Sequence, residues 1–141
     1  MTVESSLIVG QDPNDIRTFI AAEALEAHRL VVFNSSDRTK VEYPSGQFGT
    51  GLIGITLHSA PSGAEVAVAV GGFALLEVDG SAANIVPGDS IVAHTNDGLG
   101  QKAAGGTAGN REAIGKAYGA STADGDLIPV RVSPHTVYFA S

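Results

Sequence analysis

The chain has no cysteine and no tryptophan, and among its 141 residues it holds only eight Lys and Arg and eight Phe and Tyr. Without cysteine, disulfide frameworks, thiolate zinc sites, iron–sulfur clusters and cysteine nucleophiles are excluded. Fifteen acidic residues outweigh the eight cations, giving a formal charge of −7 and a pI near 4.8. That balance opposes a nucleic-acid groove, which needs clustered Lys and Arg to displace counterions from phosphates. It suits a soluble outer surface that repels its own kind. Long apolar runs are also missing, so no stretch approaches the roughly 20 residues of a membrane span. Met1 to Gly10 lacks a basic region and has one short apolar run, Leu7-Ile8-Val9, so it does not read as a secretory signal. Neither nucleic acid nor membrane is an expected partner, and assembly in a reducing cytoplasm is compatible with the composition.

What the chain does have is 43% hydrophobic residues and 18 glycines, with many Val, Ile and Ala. This is enough apolar material for one ordinary core. Glycine at this frequency points to short strands joined by tight turns, where positive φ is needed. Turn signals at Pro61-Ser62-Gly63, Asp79-Gly80, Asn96-Asp97-Gly98 and Asp124-Gly125 each fall between apolar runs.

The second half echoes the first at an offset of about 61 residues. Residues 53–70 (IGITLHSAPSGAEVAVAV) and 114–132 (IGKAYGASTADGDLIPVRV) share Ile-Gly, a small-residue turn and an alternating apolar run. Upstream, Leu30-Val31-Val32-Phe33 matches Ser90-Ile91-Val92-Ala93. Each half is expected to be a unit of three or four strands, with copies over about residues 17–72 and 73–132. Ala21 to Leu30 has strong helix formers. Its counterpart contains Val86-Pro87-Gly88-Asp89, which reads as a turn, so the first copy is expected to be a connection with at most one helical turn. Val66, Val68 and Val70 share one face of a strand, as do Ile128, Val130 and Val132. Pro129 implies that its strand is an edge or turns this nitrogen outward. The fold expected is all-β, a compact β-barrel or β-tulip of two similar strand-rich halves in one domain over residues 17–141. Residues 1–16 form an N-terminal arm, and a short strand lies within 133–141.

Chemistry-bearing motifs are weak. Residues 109–117 (GNREAIGKA) imitate a phosphate-binding loop, but the spacing is one residue too long and Ala117 replaces the magnesium-binding hydroxyl. Gly54 occupies the place of Gly115 in the other copy, so the repeat explains this glycine better. His28, His58, His94 and His135 lie far apart without ligand spacing, and no G-x-S-x-G elbow is present. No catalytic, cofactor-binding or metal-ligating residue is expected. Asn34-Ser35-Ser36 matches a glycosylation acceptor, with a plain loop as the simpler reading. Phe33, Tyr43, Phe48, Phe73, Tyr118, Tyr138 and Phe139 are spread singly, as core and rim packing.

The paired pattern carried by residues 51–56 (GLIGIT), 63–68 (GAEVAV), 86–92 (VPGDSIV), 114–117 (IGKA) and 125–130 (GDLIPV) resembles tailed-bacteriophage capsid decoration (cement) proteins over roughly residues 17–132. The resemblance implies a protein without catalysis or cofactor, made in the host bacterial cytoplasm. It would form a homotrimer on the outer capsid surface, bind the major capsid protein and stabilise the shell. Such proteins have N-terminal arms, and Thr2 to Asp15 is the matching segment. The interface residues expected in the arm are Leu7, Ile8, Val9, Asp12 and Pro13. The tail run Val137, Tyr138 and Phe139 departs from the family pattern by passing beyond the second copy, and is expected either as a subunit contact or as closure of the fold. The alternative is a small ligand- or carbohydrate-binding β domain, which needs a concave site with convergent polar and aromatic groups.

Overall fold

A computed structural model describes residues 15–104 and 109–139 as nine strands with no helix. They are β1 (Asp15–Ala21), β2 (Leu30–Phe33), β3 (Lys40–Glu42), β4 (Leu52–Thr56), β5 (Glu65–Asp79), β6 (Ser90–Ala93), β7 (Gly100–Lys102), β8 (Gly109–Ala117) and β9 (Asp124–Phe139). The sheet runs β1-β3-β2-β4-β5-β7-β6-β8-β9 and closes twice, through β1–β5 and β5–β9. The result is two five-membered rings of paired strands sharing β5. The first ring uses β5 up to Gly71, opposite Asp15, and the second uses it from Gly72, opposite Val132. Each half thus has five strands rather than three or four. The three-residue β3 and β7 are too short for periodicity to reveal, and each half counts part of β5 as its own.

The pairing is duplicated in detail. In the first ring Leu30, Val31 and Val32 face Ile55, Gly54 and Leu52, with a bulge after Val31. In the second, Ser90, Ile91 and Val92 face Lys116, Gly115 and Ala113, with a bulge after Ile91. Between strands, the bridge Leu25–Ala60 corresponds to Ile85–Ser121. The first of these bridges lies in the helix-prone stretch after Ala21. Its Leu25 is buried in the first ring, so tertiary pairing overrides intrinsic propensity there. His28 and Gly88 also correspond, donating their N–H groups to Thr56 and Ala117. Both have positive φ, 65° and 99°. Glycine takes that conformation freely, whereas His28 adopts it against its Cβ.

Gly54 and Gly115 show why Ile-Gly recurs. A Cβ on Gly54 would lie 2.3 Å from the Ala69 carbonyl oxygen, and one on Gly115 would lie 1.8 Å from that of Arg131. The neighbouring backbone needs the room at the bulge of each ring.

Alternation along β5 and β9 builds the core. Ala74, Leu76 and Val78 with Ile128, Val130 and Val132 join Ile85, Ile91 and Ile114 in one buried cluster. Leu30, Leu52, Ile55 and Ala69 belong to that same cluster, so part of the first ring's wall is buried with the second ring's core. A smaller cluster, with Val31, Val41, Val66 and Val68, fills the first ring. Pro129 lies in β9, which is not an edge at that point, since it pairs with Leu75 of β5. Its carbonyl accepts from Tyr118 N–H, just beyond the end of β8. The missing N–H therefore falls on the side where β8 has ended, and the ladder to β5 does not need it.

The rings are locked together by polar contacts as well. The Arg29 guanidinium, in a side chain only 9% exposed, donates to the Asp97 carbonyl at 2.9 Å and lies 3.3 Å from Glu77 and 3.4 Å from Glu26. Around it, Leu30 N–H donates to Gly98, Glu77 N–H to His28, and Phe48 N–H to Ala93. Leu52 N–H donates to the Glu112 carboxylate at 2.6 Å. Burial pushes the nearby Tyr43 phenol above its ordinary value.

Two consequences are measurable. Gly54→Ala and Gly115→Ala are each expected to destabilise the fold by about 1–3 kcal/mol or more, because a methyl there must displace backbone; urea denaturation reads the loss. The second concerns acid. Hydrogen bonds from the Thr39 and Ser81 hydroxyls and amides hold the Asp37 and Asp79 carboxyls below the usual aspartate value. A lowered folded value gives stability that is present above about pH 4 and lost as pH falls from there through the folded value. The D37N/D79N variant should therefore show a shallower fall of the urea midpoint on acidification than the parent chain.

Candidate interaction surface

The alternation that sends Ala74, Leu76 and Val78 inward sends Phe73, Leu75 and Glu77 outward. On β9 the outward set is Leu127, Pro129 and Arg131. Register makes these one ladder: Phe73 faces Arg131, Leu75 faces Pro129, and Glu77 faces Leu127. Tyr118, just after β8, stacks edge-on against Phe73 with ring centroids 4.9 Å apart. Exposure is high for such side chains: 43% for Phe73, 44% for Leu75, 49% for Leu127 and 53% for Tyr118. An apolar ladder with a stacked aromatic pair is thus presented to solvent, in the manner of an interaction face.

The upper end of the ladder is cationic. The Arg131 guanidinium lies 5.9 Å from the Phe73 ring centroid, and Lys116 directly opposes Arg131 across β8 and β9. Lys116, Tyr118, Arg131, Ser133 and His135 line a depression of about 340 Å³. A larger groove, about 540 Å³, runs between the first ring and the far end of the β8–β9 pair, lined in part by Phe33, Arg38, Leu52, Glu112 and His135.

Of the interface residues expected from the sequence, Leu7, Ile8, Val9, Asp12 and Pro13 lie outside the described residues. Val137, Tyr138 and Phe139 are the end of the 16-residue β9, opposite Arg111, Asn110 and Gly109 of β8. Val137 is half-buried and Tyr138 is 68% exposed. The aromatics are not all single: besides Phe73 with Tyr118, Phe19 and Phe33 stack edge-on at 5.7 Å. Sequence reading passed over the outward ladder. Its signal was there, in two runs apolar on both alternating faces, Phe73-Ala74-Leu75-Leu76 and Leu127-Ile128-Pro129-Val130. A strand apolar on both sides expects cover on both.

The histidines have separate surroundings. His58 accepts the Ala67 N–H, His94 lies 3.2 Å from Asp79, and His135 contacts Ser90 and the Ser133 carbonyl. Among the described residues no group of three or more His, Asp and Glu stands at metal-holding distance.

Comparison with known proteins agrees with this architecture. One solved structure, the head fiber gp8.5 N base of bacteriophage phi29, is similar with a TM-score of 0.57, covering 85% of this chain and 94% of that one. The two are 17% identical, so the likeness is one of fold. No curated protein matches the chain. The family described as phage cement protein matches residues 10–132, which take in both rings from β1 to the point where β9 leaves β5. On that match the chain belongs to the phage cement protein family and is a structural protein of the phage virion.

Proposed function

We propose that this chain binds the outer surface of a phage capsid, contacts the major capsid protein and stabilises the shell as a homotrimer, without catalysing a reaction. The family match over residues 10–132 is the observation that carries this reading. The exposed ladder of Phe73, Leu75, Tyr118 and Leu127 supports it, because apolar surface of this kind is costly in water unless a partner covers it. Residues 2–14 serve as the arm, ending where Asp15 of β1 pairs with Gly71, with Leu7, Ile8, Val9, Asp12 and Pro13 as contact residues, and Val137, Tyr138 and Phe139 add a second contact. Three equivalent attachments on a lattice reinforce one another. After the first contact forms, the others close at high effective concentration, and avidity rises by about 10²–10⁴.

The purified chain should bind expanded capsids of its phage saturably, ignore unrelated protein shells, and run as an oligomer in light scattering. A monomer that leaves capsids bare defeats the proposal. Removing Met1 to Asn14, which spares β1, should leave the melting temperature within a few degrees of the parent and weaken capsid binding. Equal binding by the shortened chain would show that the arm plays no part.

A further inference from the structure

The two rings have the same pairing but treat one position oppositely. In the first ring Ile55 faces Ala69 across β4 and β5, and both are buried in the cluster shared with the second ring. In the second ring the corresponding pair is Lys116 facing Arg131 across β8 and β9, and both are exposed. Leu57, whose N–H bonds to the strand opposite, corresponds to Tyr118 in the same way. The wall that one ring uses to dock on its neighbour is therefore open on the other ring, and its apolar pair has become two cations beside an aromatic.

Like charges directly opposite on adjacent strands destabilise a sheet. Neither Lys116 nor Arg131 forms an ion pair among the described residues. The chain had carboxylates to spare, at fifteen against eight cations, yet the depression lined by Lys116, Tyr118, Arg131, Ser133 and His135 contains none. Elsewhere Arg17, Arg29 and Lys102 each have an acidic partner within 4.0 Å. A basic, donor-rich hollow flanked by Phe73 and Tyr118 is complementary to a carboxylate carried on an apolar segment.

We propose that Lys116 and Arg131, with Phe73 and Tyr118 beside them, form the docking point for an acidic segment of a neighbouring protein subunit. Glutamate or aspartate would sit between the two cations, and an adjoining apolar side chain on the Phe73–Tyr118 pair. The inference rests on the capsid-binding reading for where that partner is found, but the site's chemistry stands on the geometry above. Held this way, attachment is strongest at low ionic strength and weakens with salt, because the cations are exposed and the screening length shrinks from about 10 Å at 0.1 M to about 3 Å at 1 M.

The test has two arms on the full-length chain. In the first, a synthetic peptide alternating glutamate and leucine is titrated against the isotopically labelled protein, with the glutamine-for-glutamate peptide as control. Amide shifts confined to Phe73, Lys116, Tyr118 and Arg131, with the glutamate peptide alone, are expected. No response, or an equal response to the glutamine peptide, overturns the site. In the second arm, K116E/R131E should bind capsids about tenfold more weakly than the parent and lose the salt dependence, while K116R/R131K keeps both; circular dichroism checks that each is folded. If the parent chain binds capsids and K116E/R131E binds as tightly, the docking site is wrong and the proposed function survives. If the parent takes the glutamate peptide but ignores capsids, the proposed function is wrong and the site survives.

Discussion

Strand β5 has to satisfy two closed rings with one continuous backbone, and most other features of the molecule follow from that demand. Over Glu65–Asp79 its partners change: β1 and β4 flank it first, then β9 and β7. The exchange happens at Gly71 and Gly72. A Cβ on Gly71 would come within 3.2 Å of Asp15 Cβ, and Gly72 has a φ of 76°. Residues without side chains give the strand the space and the freedom to pass from one ring to the next. With β1 and β9 both paired to it, the long sheet edges that invite aggregation are removed from the rings. What stays open is the far end of β9, where residues 135–139 pair with β8 alone among the described residues.

A shared strand fixes the rings along one line but leaves them free to twist about it, and the seam removes that freedom. Arg29 is the centre of the seam. Its guanidinium bonds to the Asp97 carbonyl and to Glu77 from the second ring, and to Glu26 from its own. Glu26 and Asp97 are more than half exposed, so their ion pairs are screened and weak. Direction matters more than charge here: a planar fork of donors accepts one orientation of the opposing ring. Gly98 completes the fit, since a Cβ there would lie 2.7 Å from the Leu30 carbonyl oxygen and 2.9 Å from Arg29 Cβ. Apolar burial of Leu30, Leu52, Ile55 and Ala69 supplies the bulk of the adhesion, and the polar contacts choose the angle.

The parts of this fold legible in the sequence were those that recur. Leu30–Phe33 and Ser90–Ala93 are β2 and β6, and the alternating runs ending at Val70 and Val132 became paired strands. The turn signal of proline and glycine in residues 86–88 weighed against the helix propensity of residues 21–30, and the chain there forms the bridge Leu25–Ala60 and no helix. Other parts left no local trace. β3 and β7 owe their existence to partners distant in sequence, and three residues are too few for a period. Strand β5 was hidden by Gly71-Gly72, which punctuates a chain as a turn does, so the junction between halves falls inside a strand. The tail run at Val137 and Tyr138 was legible as strand, and it is the end of β9. The Phe73 ladder escaped notice because each of its members has an ordinary core neighbour in sequence, and their adjacency is a matter of cross-strand register alone.

Corresponding positions of the two rings agree where the backbone requires it and differ where their surroundings do. Gly54 and Gly115 are the same because both bulges need the same space. Ile55 and Lys116 differ in surroundings: Ile55 is buried in the cluster that both rings share, and Lys116 is exposed on the chain's own surface. A chain of charge −7 experiences mutual repulsion between its copies at long range, and in physiological salt this fades beyond about 8 Å. Inside that distance, placement outweighs net charge. Two adjacent cations beside an exposed aromatic pair then form a local exception to the acidic surface, within reach of any acidic partner brought close. The second ring thus has the strand pairing of the first, with its outer wall exposed where the first ring's is buried.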